Sequence, residues 1–207
     1  SNKGYKGKKG IVQLGWLYLD TMEIVKKRAE TVHLQLNVFD LESLENWLSN
    51  NHNTIDAVVS EIVSNPKIEC LDIENLYAIC EKYDVLLILD ATLVTPFNVD
   101  VLEYCDIAVE SLSKFACGNA DVLMGAIISK NTDLLIETDK FALSPFKGEI
   151  ERLGYEILGY EERVKKISNN ILTNSNKNNC LLDNLILFMN LQILTVFNIY
   201  QIKDLPV

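Results

Sequence analysis

In the segment ESLSKFACGNADVLMG, spanning 110–125, Lys114 follows two small hydroxyl residues, Ser111 and Ser113, and precedes Gly118. Lysine is ordinarily a solvated surface charge. An amine held where an apolar strand ends, however, is a nucleophile for a carbonyl carbon. A carboxylate closes a second apolar run: Asp90 ends VLLILD, with Thr92 shortly after it. A third run, AVVSEIV, leads into Ser64 and Asn65. Each residue also has a plainer reading. Asp90 can cap the next segment, Ser111 and Ser113 can shape a turn, Gly118 and Gly125 can serve backbone geometry, and Cys117 can be a small buried hydrophobe.

The elements that must position these residues are legible as short β-branched runs alternating with amphipathic stretches, the pattern of an α/β protein with a mainly parallel sheet. TMEIVKKRAE reads as a helix. DLESLENWLSN reads as another, capped by Asp40, with Leu41, Leu44 and Leu48 inward. DIENLYAICEKYD is a third, capped by Asp72. HLQLNVF, AVVSEIV, VLLILD, IAVES and VLMGAIIS read as strands, and VLLILD is apolar enough for both of its faces to be covered. SPFKGEIERLGYEILGYEERVKKISNNIL is expected to be largely helical, NSNKNN a linker, and SNKGYKGKKG a frayed entry.

Open parallel sheets bind ligands beyond the carboxyl ends of their strands. The strand assignments therefore bring Ser64, Asn65, Asp90, Thr92, Ser111, Ser113 and Lys114 to one edge. One lysine, one acid, an amide and several hydroxyls suit pyridoxal 5'-phosphate. That cofactor takes a lysine for a Schiff base, an acid to keep its ring nitrogen protonated as an electron sink, and donors for its phosphate.

The segment from about Tyr18 to Lys130 resembles the Cys/Met metabolism family of pyridoxal-phosphate enzymes, which includes cystathionine γ-synthases and lyases. SNPKIECLDIENLYAICEKYDVLLILDAT resembles that family's order of SNP, helix, apolar strand and D-N-T, and ESLSKFACGNADVLMG resembles its S-x-T-K signature with the following glycine, aspartate and glycine. The resemblance implies fold type I, the PLP-dependent transferase-like, aspartate-aminotransferase-like architecture, here incomplete. Residues 11–145 would be a partial cofactor-binding large domain, and 146–207 a helical continuation with an unassigned tail.

The resemblance also implies roles. Lys114 would form the Schiff base and carry protons between substrate carbons. Tyr18, matching the tyrosine of Y-G-G-T, would be the second catalytic residue, stacked on the front of the ring. Asp90 would pair with the ring nitrogen, Asn65 with the phenolic oxygen, and Thr92 would pack behind the ring. Ser111 and Ser113 would donate to the phosphate, Ser113 standing where the family has threonine. The implied function is formation or cleavage of C–S bonds in transsulfuration, on a small amino-acid substrate, in a cytoplasmic homo-oligomer (dimer or tetramer).

Departures from the pattern are equally specific. No glycine-rich phosphate-binding element precedes Tyr18 in this sequence, and GYKGKKG lacks the spacing of a P-loop. Ala91 stands at the asparagine of D-N-T. Arg152 and Arg163 qualify as substrate-carboxylate ligands by residue type only, with surface helix charge the plainer reading. A non-catalytic remnant of the same fold, weakly binding cofactor or a partner, is therefore the alternative. Phosphoryl transfer through Asp90 is a more distant one.

Composition limits the rest. A formal charge of −10 across 207 residues argues against a nucleic-acid partner. Five scattered cysteines without a CxxC pair suit reduced thiols rather than a zinc knuckle or a disulfide framework, and neither His33 nor His52 belongs to a ligand motif. The run LILFMNLQILTVFNIY is shorter than the ~20 residues that span a bilayer and is interrupted by Asn190, Gln192 and Asn198, so no membrane segment is expected.

Overall fold

A computed structural model describes residues 6–119, 121–139 and 147–175. Six strands form one sheet in the order β2-β1-β3-β4-β5-β6. They are β1 (Gly10–Leu14), β2 (Thr31–Gln35), β3 (Ile55–Glu61), β4 (Leu86–Asp90), β5 (Ile107–Ser111) and β6 (Gly125–Ile128). All neighbours pair parallel except β5 and β6, which run antiparallel. Helices α1 (Leu19–Arg28), α2 (Leu41–Asn51) and α3 (Ile73–Lys82) make the crossovers between the first four strands. After β6 come α4 (Thr132–Asp139), α5 (Lys147–Glu156) and α6 (Tyr160–Ser175).

The helix starts follow from their caps. The Asp40 carboxylate accepts the Ser43 N–H at 3.0 Å, and that of Asp72 accepts the Asn75 N–H at 3.1 Å, each satisfying a donor the helix cannot. Leu44 and Leu48 on α2, with Ile73, Leu76 and Cys80 on α3, then lie buried against Val12, Leu14, Val58, Leu87 and Leu89 of the sheet. Emptying one such leucine site costs about 2–5 kcal/mol, so this layer dominates the stability of the unit. Ala57, Leu86 and Ile107 cover the opposite face together with Leu134 of α4.

Several strand boundaries differ from the sequence reading. β1 was not anticipated, although it is an interior strand, paired with β2 on one side and β3 on the other. The basic entry before it is not frayed over residues 6–9. The Asp56 carboxylate accepts the backbone N–H groups of Lys6 at 3.2 Å and Lys9 at 2.9 Å, while the Lys9 ammonium reaches Glu30 at 2.5 Å. β2 stops at Gln35, whose side-chain amide donates to the carbonyls of Asn37 and Asp40 and so turns the chain into α2. β3 starts and stops two residues earlier than expected, ending at Glu61. β6 begins only at Gly125. Lys114 consequently lies in the connection by which the chain reverses from β5 into β6, and not in a crossover. The anticipated helical continuation forms over the described part, 147–175. The linker expected at 174–179 begins inside α6, since Asn174 and Ser175 are helical; its remainder and the apolar run near the end lie outside the described residues.

Candidate functional site

The carboxyl ends of β3, β4 and β5 are adjacent, and the register sets their last residues beside one another. Glu61 is the partner of Asp90, and Asp90 of Val109. Asp90 and Ser111 are tied together by a short relay. The Thr92 N–H donates to Asp90 Oδ1 at 2.8 Å, and the Ser111 N–H donates to Thr92 Oγ1 at 2.9 Å. The sheet itself continues into this edge through the Ala91 N–H bonded to the Val109 carbonyl and the Ile62 N–H bonded to that of Asp90. Asp90 Oδ2 takes no hydrogen bond from any described residue.

Beyond Ser111 the chain turns at once. The Lys114 N–H donates to the Ser111 carbonyl at 3.2 Å, and the Cys117 N–H to that of Leu112 at 2.9 Å. These bonds fold 111–117 into a compact loop that leaves Lys114 exposed while burying Ala116 and Cys117. Nothing among the described residues accepts a hydrogen bond from the Lys114 ammonium. Ser113 is more committed: its hydroxyl accepts the Met124 N–H at 3.1 Å and donates to the Met124 carbonyl at 3.4 Å, pinning the loop to the entry of β6. Cys117 donates to Asp121 at 3.2 Å, and Asp121 also pairs with Arg152 at 2.9 Å, so the buried thiol is a packed structural group.

Asn65 and Tyr18 stand on the same side of the sheet, past the ends of β3 and β1, and both are exposed. Tyr18 is the residue before α1, and its backbone N–H donates to Glu61 Oε1 at 2.7 Å. Glu61 is therefore the link between the β1 and β3 ends. Burial raises its carboxyl above the ordinary range, opposed by the N–H of Tyr18 and reinforced by the charge of Asp90, with the Asn65 N–H acting downward. Glu110, one residue before Ser111, behaves alike: burial raises it, the Tyr160 hydroxyl that donates to it works the other way, and Asp90 adds to the rise.

Sequence reasoning missed Glu61, Glu110 and Tyr160, and named Arg163 only as a possible carboxylate ligand, not as a partner of the lysine loop. Ending β3 at Glu61 would have found the first, because a strand's last residue faces the binding edge. The other three carry no local signal, since their contacts span 47 to 50 residues. Arg152 is a surface charge as expected. Arg163 is not, because its Nε and Nη2 donate to backbone carbonyls and its Nη1 lies 4.0 Å from the Glu156 carboxylate, so it offers no free fork to a substrate carboxylate.

This donor set fits the ring end of pyridoxal phosphate. Three acids, Glu61, Asp90 and Glu110, gather at one edge, and two of them are raised by crowding and burial. Such an edge favours a cationic ring nitrogen at the open oxygen of Asp90. The exposed Lys114 amine supplies the group that would take the aldehyde.

Comparison with known proteins agrees. The chain is 35% identical over 169 residues, 78% of its length, to the L-2-amino-4-chloropent-4-enoate dechlorinase/desaturase of Streptantibioticus cattleyicolor. It is 32% identical over 120 residues, 56% of its length, to the cystathionine gamma-synthase of Neurospora crassa. The matched segments span 34% and 19% of those relatives. The fold is that of cystathionine gamma-lyase from yeast, with a TM-score of 0.65 and 20% identity over 74% of this chain and 41% of that one. Residues 5–170 match the family described as Cys/Met metabolism PLP-dependent enzyme. With most of its length inside that match, and with the lysine loop and its acid at adjacent strand ends, the chain belongs to the Cys/Met metabolism family of PLP-dependent enzymes.

Proposed function

We propose that the protein of which this chain is part forms or cleaves C–S bonds of small amino acids in transsulfuration, with Lys114 as the amine that takes the cofactor's aldehyde carbon. The observation that carries this reading is the adjacency of β4 and β5, which sets Asp90 and the loop of Lys114 at one open edge. Bound pyridoxal phosphate would supply an electron sink for a carbanion next to the amino group. Asp90 would hold positive charge at the ring nitrogen through its open oxygen, and Thr92, whose hydroxyl accepts the Ser111 N–H, lies beside Asp90. Asn65 would bond the phenolic oxygen and Tyr18 would stack on the front of the ring. Ser111 carries the phosphate contact more readily than Ser113, whose hydroxyl is held by Met124. As a free amine, Lys114 would be the base that moves a proton between substrate carbons.

The intact protein is a cytoplasmic homo-oligomer in this reading. Leu158 and Tyr155, 84% and 76% exposed, are apolar surface suited to a partner subunit. Among the described residues no helix is long and apolar enough to cross a membrane. We treat 11–145 as the cofactor-binding unit and 146–207 as its continuation. The bonds that join Asp90, Thr92, Ser111 and Lys114 at one edge support the enzymatic reading over a non-catalytic remnant.

Borohydride reduction with pyridoxal phosphate, followed by peptide mapping, tests it. The expected label is on Lys114 and disappears in Lys114→Ala. Labelling spread over several surface lysines, unchanged in the variant, would overturn the assignment.

A further inference from the structure

Helix α6 holds the lysine loop from both ends. The Arg163 Nε donates to the Phe115 carbonyl at 3.1 Å, and its Nη2 donates to those of Ala116 at 2.7 Å and Glu156 at 2.6 Å. One planar guanidinium thereby joins two successive carbonyls just after Lys114 to the end of α5, a geometry that a single ammonium cannot reproduce. The slot around it is built from glycine. A Cβ on Gly118 would lie 2.9 Å from Arg163 Cδ and Nε, and one on Gly159 would lie 2.7 Å from Nη1.

The other end of the loop is held one helical turn earlier on α6. The Tyr160 hydroxyl donates to the carboxylate of Glu110, the residue before Ser111, and the Tyr160 ring meets Phe97 edge-on at 4.9 Å. Between these two points Ala116, Cys117 and Val122 pack with Leu153, Tyr160 and Val164 into a small core separate from the main one. Lys114 is the exposed residue inside this clamped segment. Its backbone has no direction of its own to choose, because both flanks are bonded to the same helix.

We propose that Arg163 is a positioning residue for Lys114: by bonding the carbonyls of Phe115 and Ala116 from its glycine slot, it fixes the turn that aims the Lys114 amine over the strand ends. Tyr160 fixes the other flank through Glu110. The proposal rests on the reading of Lys114 as the cofactor's amine, but its geometry does not require cofactor to be present.

The test uses the 207-residue chain, its Arg163→Lys variant and, as a second probe, Tyr160→Phe. Hydrogen exchange reads the loop, and competitive acetylation without cofactor reads the reactivity of the Lys114 amine against the other lysines. Arg163→Lys is expected to speed exchange of the Lys114 and Cys117 amides by roughly tenfold or more, as loss of charge-assisted bonds to a local segment requires. The amides of β3 and β4 keep their wild-type exchange, the relative acetylation rate of Lys114 changes severalfold, and Tyr160→Phe shifts both readouts in the same sense. A purely structural anchor would leave the Lys114 rate at its wild-type value in Arg163→Lys, and that result overturns the proposal, as does unchanged loop exchange in both variants. Borohydride trapping separates the two readings. If wild type is not trapped at Lys114 while exchange and acetylation shift as described, the clamp stands and the chemistry assigned to Lys114 falls.

Discussion

Glu61 and Tyr18 are joined by a hydrogen bond of 2.7 Å from the Tyr18 N–H to the Glu61 carboxylate, just past the carboxyl ends of the paired strands β1 and β3. That contact makes the start of α1, and the tyrosine there, dependent on a half-buried acid of β3. Glu61→Ala loses the acceptor, and unfolding stability should drop by about 0.5–1.5 kcal/mol. Glu61→Gln keeps an acceptor and removes the desolvated charge, so it should match or exceed wild type at neutral pH. Urea midpoints of the three proteins decide it. Equal losses in both variants would mean that charge, and not the bond, is what α1 needs.

Glu110 gives a pH dependence with a definite sign. Its folded carboxyl titrates above its ordinary value of 4.5, chiefly because it is buried. A raised acid contributes stability that is fully present below the unfolded value and lost as pH rises through the folded one. Glu110→Gln cannot ionise and escapes that loss. Relative to wild type, the variant should therefore gain stability as pH climbs from about 4 toward neutrality. Thermal melts across that window measure the difference, and a gap that is flat or closes with rising pH contradicts it.

Asp56 ties down the entry to the sheet. It is 7% exposed, and its two oxygens each accept a backbone N–H, from Lys6 and Lys9. Replacing it with alanine leaves those donors beside β1 without a protein partner, at a cost of about 1–3 kcal/mol. Trypsin should then cut among Lys6, Lys8 and Lys9 faster than in wild type at temperatures below the melt. Unchanged cleavage would show that β1 alone anchors the segment.

Gly118→Ala probes the slot for Arg163. The added carbon would lie 2.9 Å from Arg163 Cδ and Nε, so the side chain must give up its bonds to Phe115 and Ala116. Destabilisation of about 1–3 kcal/mol is expected, together with faster exchange at the Cys117 amide. Gly148→Ala, where a Cβ meets nothing within 4 Å, is the control and should be near neutral.

Much of this protein could be read directly from local residues. Asp40 and Asp72 cap their helices because a short carboxylate before an amphipathic run has one good use for its oxygens. VLLILD is a nearly continuous apolar run suited to a doubly covered strand, and with AVVSEIV and IAVES it puts Asp90, Asn65 and the lysine loop at one edge. β1 was hidden because GIVQL directly follows a glycine- and lysine-rich stretch; the acid that satisfies that stretch, Asp56, lies on β3.

The sequence by itself determined the family and the helix caps, and it nominated the groups proposed to bind the ring, since each depends on residue type and spacing along the chain. Only the tertiary structure decided how those groups are held. Glu61 meets Tyr18, the Glu110 carboxylate meets Tyr160, and Arg163 meets the carbonyls beyond Lys114 through contacts 43 to 50 residues apart. No periodicity records such pairs, because they form only when the sheet register and the packing of α6 bring distant chain together. Lysine 114 is marked by its motif, and its aim is set by a helix that the motif does not contain.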